Sequence, residues 1–382
     1  MKPTDNNHNW ASPATSLQHA GKQFRLGRGL IGATESSVTF STPNIEDTPV
    51  YSRLGNTTNH FEAEDLMSHL HRAPASIVTG SGMACLNLIV MTLLRPGDHV
   101  LVLESCYGGT YQMMTKIFSA WGIETTFAPM STWEKHKKPN TRMVLFESIT
   151  NPFCEPQDIG RAAQFAKTHK LISVCDNTFA SPALCQPLSH GVDLVFESAT
   201  KYLNGHSDVI AGMIAGSKDL IDNLRSFHSY LGTFLPPQQC MQLLRGMRTL
   251  DIRMKQHSKT GLAFAEALRS SGVAELVSYG VQATNPTLRY FANGFGGMVS
   301  VRFSKKVNVK KLLTLTRLVT NAPSLGGTES TATMPAFTTN WFMTTEQKKT
   351  FGIDEQLVRF SIGLEEAEDI VQDVLAAAKA SM

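Results

Sequence analysis

The feature that most constrains this chain is an alternation of short apolar runs with helical segments, which extends from about residue 61 to residue 216. Because the apolar runs are almost continuous, they are typical of strands buried on both faces, and the alternation favours a mostly parallel sheet covered by helices. Four helices are expected between the strands, near 82–94, 109–120, 158–169 and 217–229. The predicted strands are Ala75–Thr79, His99–Glu104, Ile123–Ala128, Met143–Glu147, Leu171–Cys175, Asp193–Glu197 and Val209–Ala215.

The two ends of the chain follow different patterns. Residues 1–60 are polar and show no sustained period, so we expect an extended arm that is either loose or packed on a partner subunit. A long helical stretch is predicted from Gln238 to about Ser271. The remaining sequence predicts a smaller α+β domain, with a strand at Val299–Phe303, a helix at 307–319, a strand at Val358–Ile362 and a helix at 366–380.

Composition and targeting signals exclude several classes of partner. Thirty-five basic and 32 acidic residues give a net charge of +3, and no run of Lys or Arg indicates nucleic-acid binding. The chain starts without the apolar core of a signal peptide, and its most apolar stretch, Met83 to Leu94, is too short to span a bilayer. The six cysteines form no C-x-x-C pair, so reduced, buried thiols and no metal site are expected. We therefore expect a cytoplasmic enzyme.

Small residues follow the first predicted strand. In open parallel sheets, ligands gather where strands end at the carboxyl edge, so the residues at these points are the candidates for a binding site. Gly80-Ser81-Gly82-Met83 leads directly into a helix, where backbone amides and the helix dipole can receive a phosphate. The segment is not G-x-G-x-x-G, since Cys85 occupies the place of the last glycine. It indicates an anion site more readily than a dinucleotide site.

A lysine and an aspartate at two further strand ends predict a specific cofactor. Lys201 lies in the segment Ser198-Ala199-Thr200-Lys201, which follows one apolar strand, and Asp176 comes directly after the preceding strand. A lysine that bonds covalently to a carbonyl and an acid that pairs with a pyridinium nitrogen are what pyridoxal 5'-phosphate (PLP) requires. Tyr107, in another strand-end loop, could stack on a planar ligand. The hydroxyl groups of Ser198 and Thr200 would then share the phosphate with the amides of the first strand end.

From about Thr48 to the C-terminus the sequence resembles the Cys/Met-metabolism family of PLP enzymes. That family includes cystathionine γ-synthase, the cystathionine β- and γ-lyases, methionine γ-lyase and the O-acylhomoserine sulfhydrylases. The matching segments, in family order, are Tyr51-Ser52-Arg53-Leu54-Gly55-Asn56, Ser81-Gly82-Met83-Ala84, Tyr107-Gly108-Gly109-Thr110, Asn151-Pro152, Asp176-Asn177-Thr178-Phe179, Ser198-Ala199-Thr200-Lys201-Tyr202, Gly205-His206-Ser207-Asp208, Arg248-Thr249-Leu250, Ser324-Leu325-Gly326-Gly327, and Val358-Arg359-Phe360-Ser361-Ile362-Gly363-Leu364-Glu365.

The resemblance implies an aspartate-aminotransferase-like fold of type I and a role for each matching residue. Lys201 and Tyr107 are the expected catalytic residues: Lys201 bonds to the cofactor and moves protons, and Tyr107 stacks on the ring. Asp176 would keep the ring nitrogen protonated. The residues expected to hold the phosphate are Gly82, Met83, Ser198 and Thr200.

The resemblance also assigns substrate contacts and subunit contacts. Asn151 is expected beside the 3-oxygen of the ring and the substrate, and Arg359 and Ser324 would hold the substrate carboxylate. Tyr51 and Arg53 of the arm are expected to complete the phosphate site of the neighbouring subunit. An obligate homodimer follows, and a homotetramer is usual in the family. The expected parts are an arm at 1–60, a large PLP-binding domain at 61–250 and a C-terminal domain at 251–382.

Departures from the family pattern bear on the reaction. Family members that handle cystathionine by γ-chemistry often carry acids where this chain has Val50 and Pro323, so a cystathionine β-lyase, a methionine γ-lyase or a sulfhydrylase fits better. Among these we favour β-elimination of cystathionine, giving homocysteine, pyruvate and ammonia. Leu325 departs from one β-lyase subgroup, which often has an aromatic residue there, and Gly109 stands where methionine γ-lyases commonly have a cysteine. A cystathionine or methionine γ-lyase, a γ-synthase, a sulfhydrylase and a non-catalytic protein of this fold remain as alternatives. The sequence does not assign roles to Glu197 or Asn340.

Overall fold

Two β-sheets organise the computed structural model, which describes residues 12–25, 29–280, 286–292 and 294–382. The larger sheet has seven strands in the order β1-β7-β6-β5-β4-β2-β3. Its strands are β1 Ala75–Thr79, β2 His99–Leu103, β3 Glu124–Ala128, β4 Thr141–Glu147, β5 Ile172–Asp176, β6 Leu194–Glu197 and β7 Gly212–Gly216. All seven predicted strands are present, with ends that differ by up to three residues.

The larger sheet is mostly parallel, as the apolar runs predicted. Strands β3, β2, β4, β5 and β6 pair in parallel, whereas β7 is antiparallel to both β6 and β1. Every residue of β2 and β7 is buried, which explains why their sequences carry no alternation of polar and apolar residues. The carboxyl ends of β4, β5 and β6 therefore lie side by side at one edge.

Helices cover the sheets. Two differences from the prediction are informative. The arm is not wholly extended, because it contains α1 and because α2 begins at Thr58. The predicted stretch 238–271 is two helices, interrupted at Arg248 and Thr249. The helices are α1 Pro13–His19, α2 Thr58–His71, α3 Gly82–Leu93, α4 Gly108–Gln112, α5 Trp133–His136, α6 Ile159–His169, α7 Ser181–Leu184, α8 Lys218–His228, α9 Pro237–Met247, α10 Leu250–Ser270, α11 Val309–Leu315, α12 Thr345–Thr350 and α13 Ala367–Ala380.

The smaller sheet has five strands in the order β10-β11-β12-β9-β8. Phe360 of its central strand is fully buried, and its ring packs against those of Phe264 and Phe303, with centroids 5.1 Å and 6.3 Å away. The strands are β8 Ala274–Ser278, β9 Met298–Phe303, β10 Thr320–Asn321, β11 Thr331–Thr333 and β12 Leu357–Ser361. Of these, β9 and β12 were predicted, whereas the other three strands were missed because they are short or partly exposed.

The arm exposes large apolar side chains. Leu30, Ile31 and Ile45 are 88%, 78% and 102% exposed. A short bridge between Thr39 and Tyr51 gives the segment local order. Large exposed apolar side chains are typical of surfaces that contact other molecules. The boundaries of the arm and of the two domains at residues 60 and 250 remain predictions.

Two findings bear on the expected class of protein. Among the residues that the structure describes, no helix combines the length and apolar character needed to cross a membrane. The six cysteines are free thiols, and all are buried. Burial raises the pKa of each thiol, for example that of Cys154 to about 12, so the reactive thiolate is scarce at neutral pH.

We expect a thiol reagent such as Ellman's to leave the native protein almost unlabelled, because every sulfur is buried and protonated. The same chain denatured in guanidinium chloride should release six equivalents of the coloured product. The measurement is the absorbance of the released thiolate with time. A cysteine that reacted promptly in the native protein would contradict the buried placement.

Candidate active site

A cavity of about 650 Å³ opens where the carboxyl ends of β4, β5 and β6 face the smaller sheet. Most of the predicted site residues line this cavity, although they come from segments far apart in the sequence. Tyr51 and Arg53 are not among the lining residues. The ten predicted residues that line it are Gly82, Met83, Tyr107, Asn151, Asp176, Ser198, Thr200, Lys201, Ser324 and Arg359.

Lys201 lies in the turn after β6. Its Nζ donates a hydrogen bond to Ser324 Oγ at 2.5 Å, which joins the larger sheet to the smaller one across the cavity. Burial, with the nearby charge of Arg359 adding to it, lowers the pKa of the amine to about 8. The neutral, nucleophilic form of the amine is therefore accessible close to neutral pH.

Asp176 is the last residue of β5. Its Oδ1 accepts hydrogen bonds from Thr178 N at 2.9 Å and from Thr178 Oγ1 at 2.5 Å. Burial raises the pKa of the carboxyl to about 6 against the opposing effect of these bonds, and Glu197 adds to the rise. A buried carboxylate that lacks a cation is costly, so a protonated ring nitrogen is a suitable partner for it.

Glu147, the last residue of β4, is a site residue that the sequence analysis missed. Its carboxylate accepts the backbone N–H of Tyr107 at 2.6 Å and that of Asn151 at 2.9 Å. Burial raises its pKa well above the usual range, and Asp176 adds to the rise. Glu147 thereby fixes the loops that carry Tyr107 and Asn151, each of which is predicted to contact the cofactor ring. The signal available in the sequence was an acid ending an apolar strand, as for Asp176.

Arg359 of β12 forms the opposite wall. Its Nη1 donates to Asn151 Oδ1 at 3.0 Å and its Nη2 to the Ser324 carbonyl at 3.3 Å. The buried Nε has no hydrogen-bond partner among the described residues. Because a guanidinium can bind both oxygens of a carboxylate, an amino-acid carboxylate would satisfy this unpartnered donor.

The start of α3 forms a cradle for an anion. Ser81 caps the helix by accepting Ala84 N at 3.0 Å, and the first-turn amides of Gly82 and Met83 have no partner within the helix. A Cβ at Gly82 would lie 2.8 Å from Ser198 Cβ, so only glycine allows this close approach. Thr200 is fixed opposite by bonds to Ala211. Amides and hydroxyl groups in this arrangement suit a phosphate.

Tyr107 occupies the loop before α4. Its ring is 39% exposed and lies over the backbone of Gly109, where a Cβ would come within 2.4 Å of Tyr107 Cε1. Glycine at this position therefore leaves room for the ring. A partly exposed aromatic ring on the cavity wall can stack on a planar ligand.

The predicted donors together fit PLP. The cradle at α3 matches its phosphate, Asp176 its ring nitrogen, Lys201 its aldehyde and Tyr107 its ring face. Arg359 remains available for the substrate. The fit rests on groups that are buried or unpartnered in the protein alone, such as Asp176 and the Nε of Arg359.

Three family departures have distinct places. Pro323 lines the cavity beside the exposed rings of Phe337 and Trp341. Asn340, in contrast, is buried and accepts a hydrogen bond from Thr339 Oγ1 at 2.8 Å. Glu197 is also buried, and it pairs with His71 behind the cavity.

Arg53 and Tyr51 lie next to each other on the arm. The guanidinium is 5.2 Å from the centre of the Tyr51 ring, and Arg53 Nη1 donates to the Ser229 carbonyl at 3.4 Å. Neither residue reaches the cavity of its own chain. Their expected role in a neighbouring subunit remains a prediction.

The chain is similar to known proteins over most of its length. The family model described as "Cys/Met metabolism PLP-dependent enzyme" matches residues 32–379. The chain is 36% identical to cystathionine gamma-lyase of Bacillus subtilis (strain 168) over 85% of this chain and 87% of the relative. It is 35% identical to cystathionine beta-lyase MetC of the same strain, over 97% of each, and to L-methionine gamma-lyase of Pseudomonas putida, over 96% of each.

Solved structures give the same result. The crystal structure of cystathionine gamma-lyase from Lactobacillus plantarum, complexed with L-serine, superposes with a TM-score of 0.91 at 32% identity. The match covers 97% of this chain and 99% of that one. The fold is therefore the one that the resemblance implied, and the cofactor is PLP.

We expect the cofactor-free protein to react with PLP at a rate that rises with pH and has its midpoint near the Lys201 pKa of about 8. Arg359→Met should move this midpoint to higher pH, since it removes a positive charge that disfavours protonated Lys201. The measurement is visible absorbance after mixing, over the neutral and alkaline range.

Arg302→Met is the matched control, because Arg302 lies on the neighbouring strand β9 and pairs with Asp354. It should leave the midpoint unchanged. A midpoint at the ordinary lysine value, or one that both variants moved equally, would contradict the electrostatic role given to Arg359.

Proposed function

The chain belongs to the Cys/Met-metabolism family of PLP-dependent enzymes, and we propose that it is a carbon–sulfur lyase that converts L-cystathionine and water to homocysteine, pyruvate and ammonia. The observation that carries the proposal is the placement of Lys201, Asp176 and Arg359 around one cavity. These side chains supply a base, a counter-ion for the ring nitrogen and a clamp for the substrate. Relatives named as lyases, at about 35% identity, support the reaction class.

Each residue has a defined task in the proposed reaction. PLP, when bound, supplies an electron sink that stabilises negative charge at the substrate α-carbon. Arg359 binds the substrate carboxylate and thereby orients the α-hydrogen. Lys201 Nζ, with its lowered pKa, accepts that proton, and its hydrogen bond to Ser324 Oγ directs the amine across the cavity. Asp176 holds the positive charge of the ring nitrogen, and Tyr107 covers the ring.

The position of the broken bond distinguishes the candidate reactions. A sulfur on the β-carbon leaves after one proton is removed, whereas a sulfur on the γ-carbon needs a second proton removal first. Pro323, in place of the acid that γ-acting members often carry, lines the cavity and offers no charge to a distal ammonium group. For cystathionine as substrate this departure from the γ-acting members favours β-elimination, although methionine, which has no distal ammonium group, fits it as well. The relatives named as γ-lyases are equally similar to the chain, so γ-elimination is the alternative.

We further propose that the active protein is a homodimer with shared sites, assembled into a tetramer. Two observations support this: the exposed apolar residues of the arm, and the location of Tyr51 and Arg53 away from their own cavity. In the proposed dimer, Arg53 and Tyr51 of one subunit would complete the phosphate cradle of the other.

Incubation of the purified holoenzyme with L-cystathionine, followed by mass identification of the keto acid, tests the reaction. Pyruvate is expected. Lys201→Ala should lower its formation by roughly 100-fold to 10,000-fold, the usual contribution of a positioned base. 2-Oxobutyrate would instead establish γ-elimination. If no thioether amino acid gave a keto acid, the lyase proposal would be wrong.

Mixing two inactive variants tests the shared site. Lys201→Ala and Arg53→Ala should each be inactive alone. After subunit exchange, one site of every hybrid dimer would hold both intact residues, so the mixture should recover about a quarter of wild-type activity. The measurement is keto-acid release before and after exchange. Two variants that stayed inactive in verified hybrids would exclude the cross-subunit role of Arg53.

A further inference from the structure

A buried polar cluster lies directly behind the cofactor cavity, and the proposed reaction does not use it. It consists of His71 at the end of α2, Asn177 after β5, and Glu197 at the end of β6. Glu197 Oε1 accepts a hydrogen bond from Asn177 Nδ2 at 2.8 Å and lies 2.9 Å from His71 Nε2. The His71 and Glu197 side chains are 0% and 1% exposed. One carboxylate oxygen thus joins three separate segments.

The cluster supports the strand ends that carry the predicted cofactor contacts. Neighbouring residues of a strand point to opposite faces, so Phe196 and Ser198 line the cavity whereas Glu197, between them, does not. Asp176 lines the cavity in the same way, and Asn177 next to it does not. The side chains behind the sheet edge therefore hold the backbone from which the cofactor contacts project.

Further bonds make this edge a connected unit. Asn177 N donates to the Phe196 carbonyl at 2.9 Å, and Asn177 Nδ2 also donates to the Cys185 carbonyl at 3.0 Å. Ser198 N donates to Thr178 Oγ1 at 2.9 Å, and the same hydroxyl group donates to Asp176. A displacement of Glu197 would consequently displace Asp176 and Ser198, because only one or two hydrogen bonds or peptide bonds separate them from Glu197.

The burial of Glu197 makes its partners essential for this arrangement. A carboxylate removed from water is costly unless it is paired, and removal of one partner from a buried pair leaves the other uncompensated. Burial raises the pKa of Glu197, and the contact with His71 opposes that rise. His71 thereby favours the charged, hydrogen-bonded form of Glu197 at the strand end.

We propose that His71 and Glu197 are a positioning pair for the cofactor: the contact between them holds Asp176 and Ser198 where the ring nitrogen and the phosphate bind. The inference rests on PLP as the cofactor and not on the proposed reaction. It places two residues outside the cavity among those that determine PLP affinity.

Asp193 provides a matched control on the same two strands. It precedes β6, and its Oδ2 accepts Ser173 N at 2.8 Å and Ser173 Oγ at 2.6 Å, so it joins β5 to β6 at the end remote from the cavity. Loss of Asp193 weakens the pairing of the same two strands, but at the opposite end, where no hydrogen bond among the described residues leads to Asp176 or Ser198. It therefore separates a general loss of stability from a loss of positioning.

The test is titration of PLP into cofactor-free protein, followed by visible absorbance, together with the melting temperature of the cofactor-free form. Glu197→Leu removes both hydrogen bonds and should raise the apparent Kd for PLP by about tenfold or more. Glu197→Gln keeps an acceptor oxygen and should stay within about threefold of the wild type. Asp193→Ala should lower the melting temperature but change the Kd by less than about twofold.

His71→Asn keeps the test decisive if Glu197→Leu does not fold. The shorter side chain of Asn does not reach Glu197, so the contact is lost without added volume. This variant should raise the Kd for PLP by about fivefold. The proposal is overturned if Glu197→Leu and His71→Asn both bind PLP as the wild type does. It is also overturned if Asp193→Ala weakens PLP binding as much as they do. Because no substrate is used, either result leaves the proposed lyase reaction untouched.

Discussion

Three buried acids end three adjacent parallel strands, and the site depends on how each is satisfied. Glu147 and Asp176 are in register on β4 and β5, and Glu197 ends β6 beside them. Carboxylates at the edge of an apolar sheet cannot remain unpaired. Glu147 accepts two loop amides, Asp176 accepts bonds from Thr178, and Glu197 contacts His71 and Asn177. The loops that form the cavity are therefore ordered by the need to satisfy these acids.

The smaller sheet supplies the opposite charge. Arg359 reaches over the strand ends and donates a hydrogen bond to Asn151. Burial of Lys201, together with the positive charge of Arg359, lowers the pKa of that lysine. A charged clamp and a partly neutral amine can share one cavity because the guanidinium keeps its proton at any relevant pH. The contact of Lys201 with Ser324 then ties the two sheets together at the point where the proposed proton transfer occurs.

The cavity also combines a buried, hydrogen-bonded interior with a more exposed entrance. The acids, the α3 cradle and Arg359 are constrained by burial and hydrogen bonds, and they suit the cofactor and the carboxylate common to all amino-acid substrates. Phe337 and Trp341, which also line the cavity, are 49% and 65% exposed. Relatives with different named activities have about the same identity to this chain. Overall identity alone therefore does not distinguish these activities.

The sequence by itself determined the mostly parallel sheet, because strands buried on both faces are continuously apolar. It also predicted Lys201 and Asp176 as site residues, because charged side chains close to the ends of such strands are costly unless they bind a partner or a ligand. It did not reveal Glu147 as a site residue or explain Glu197, since Tyr107 lies 40 positions from Glu147 and His71 lies 126 positions from Glu197. It also missed β8, β10 and β11, whose short or exposed sequences lack a clear period. Only the tertiary structure brought Arg359 to Asn151, because long-range packing, not local pattern, decides which distant side chains meet.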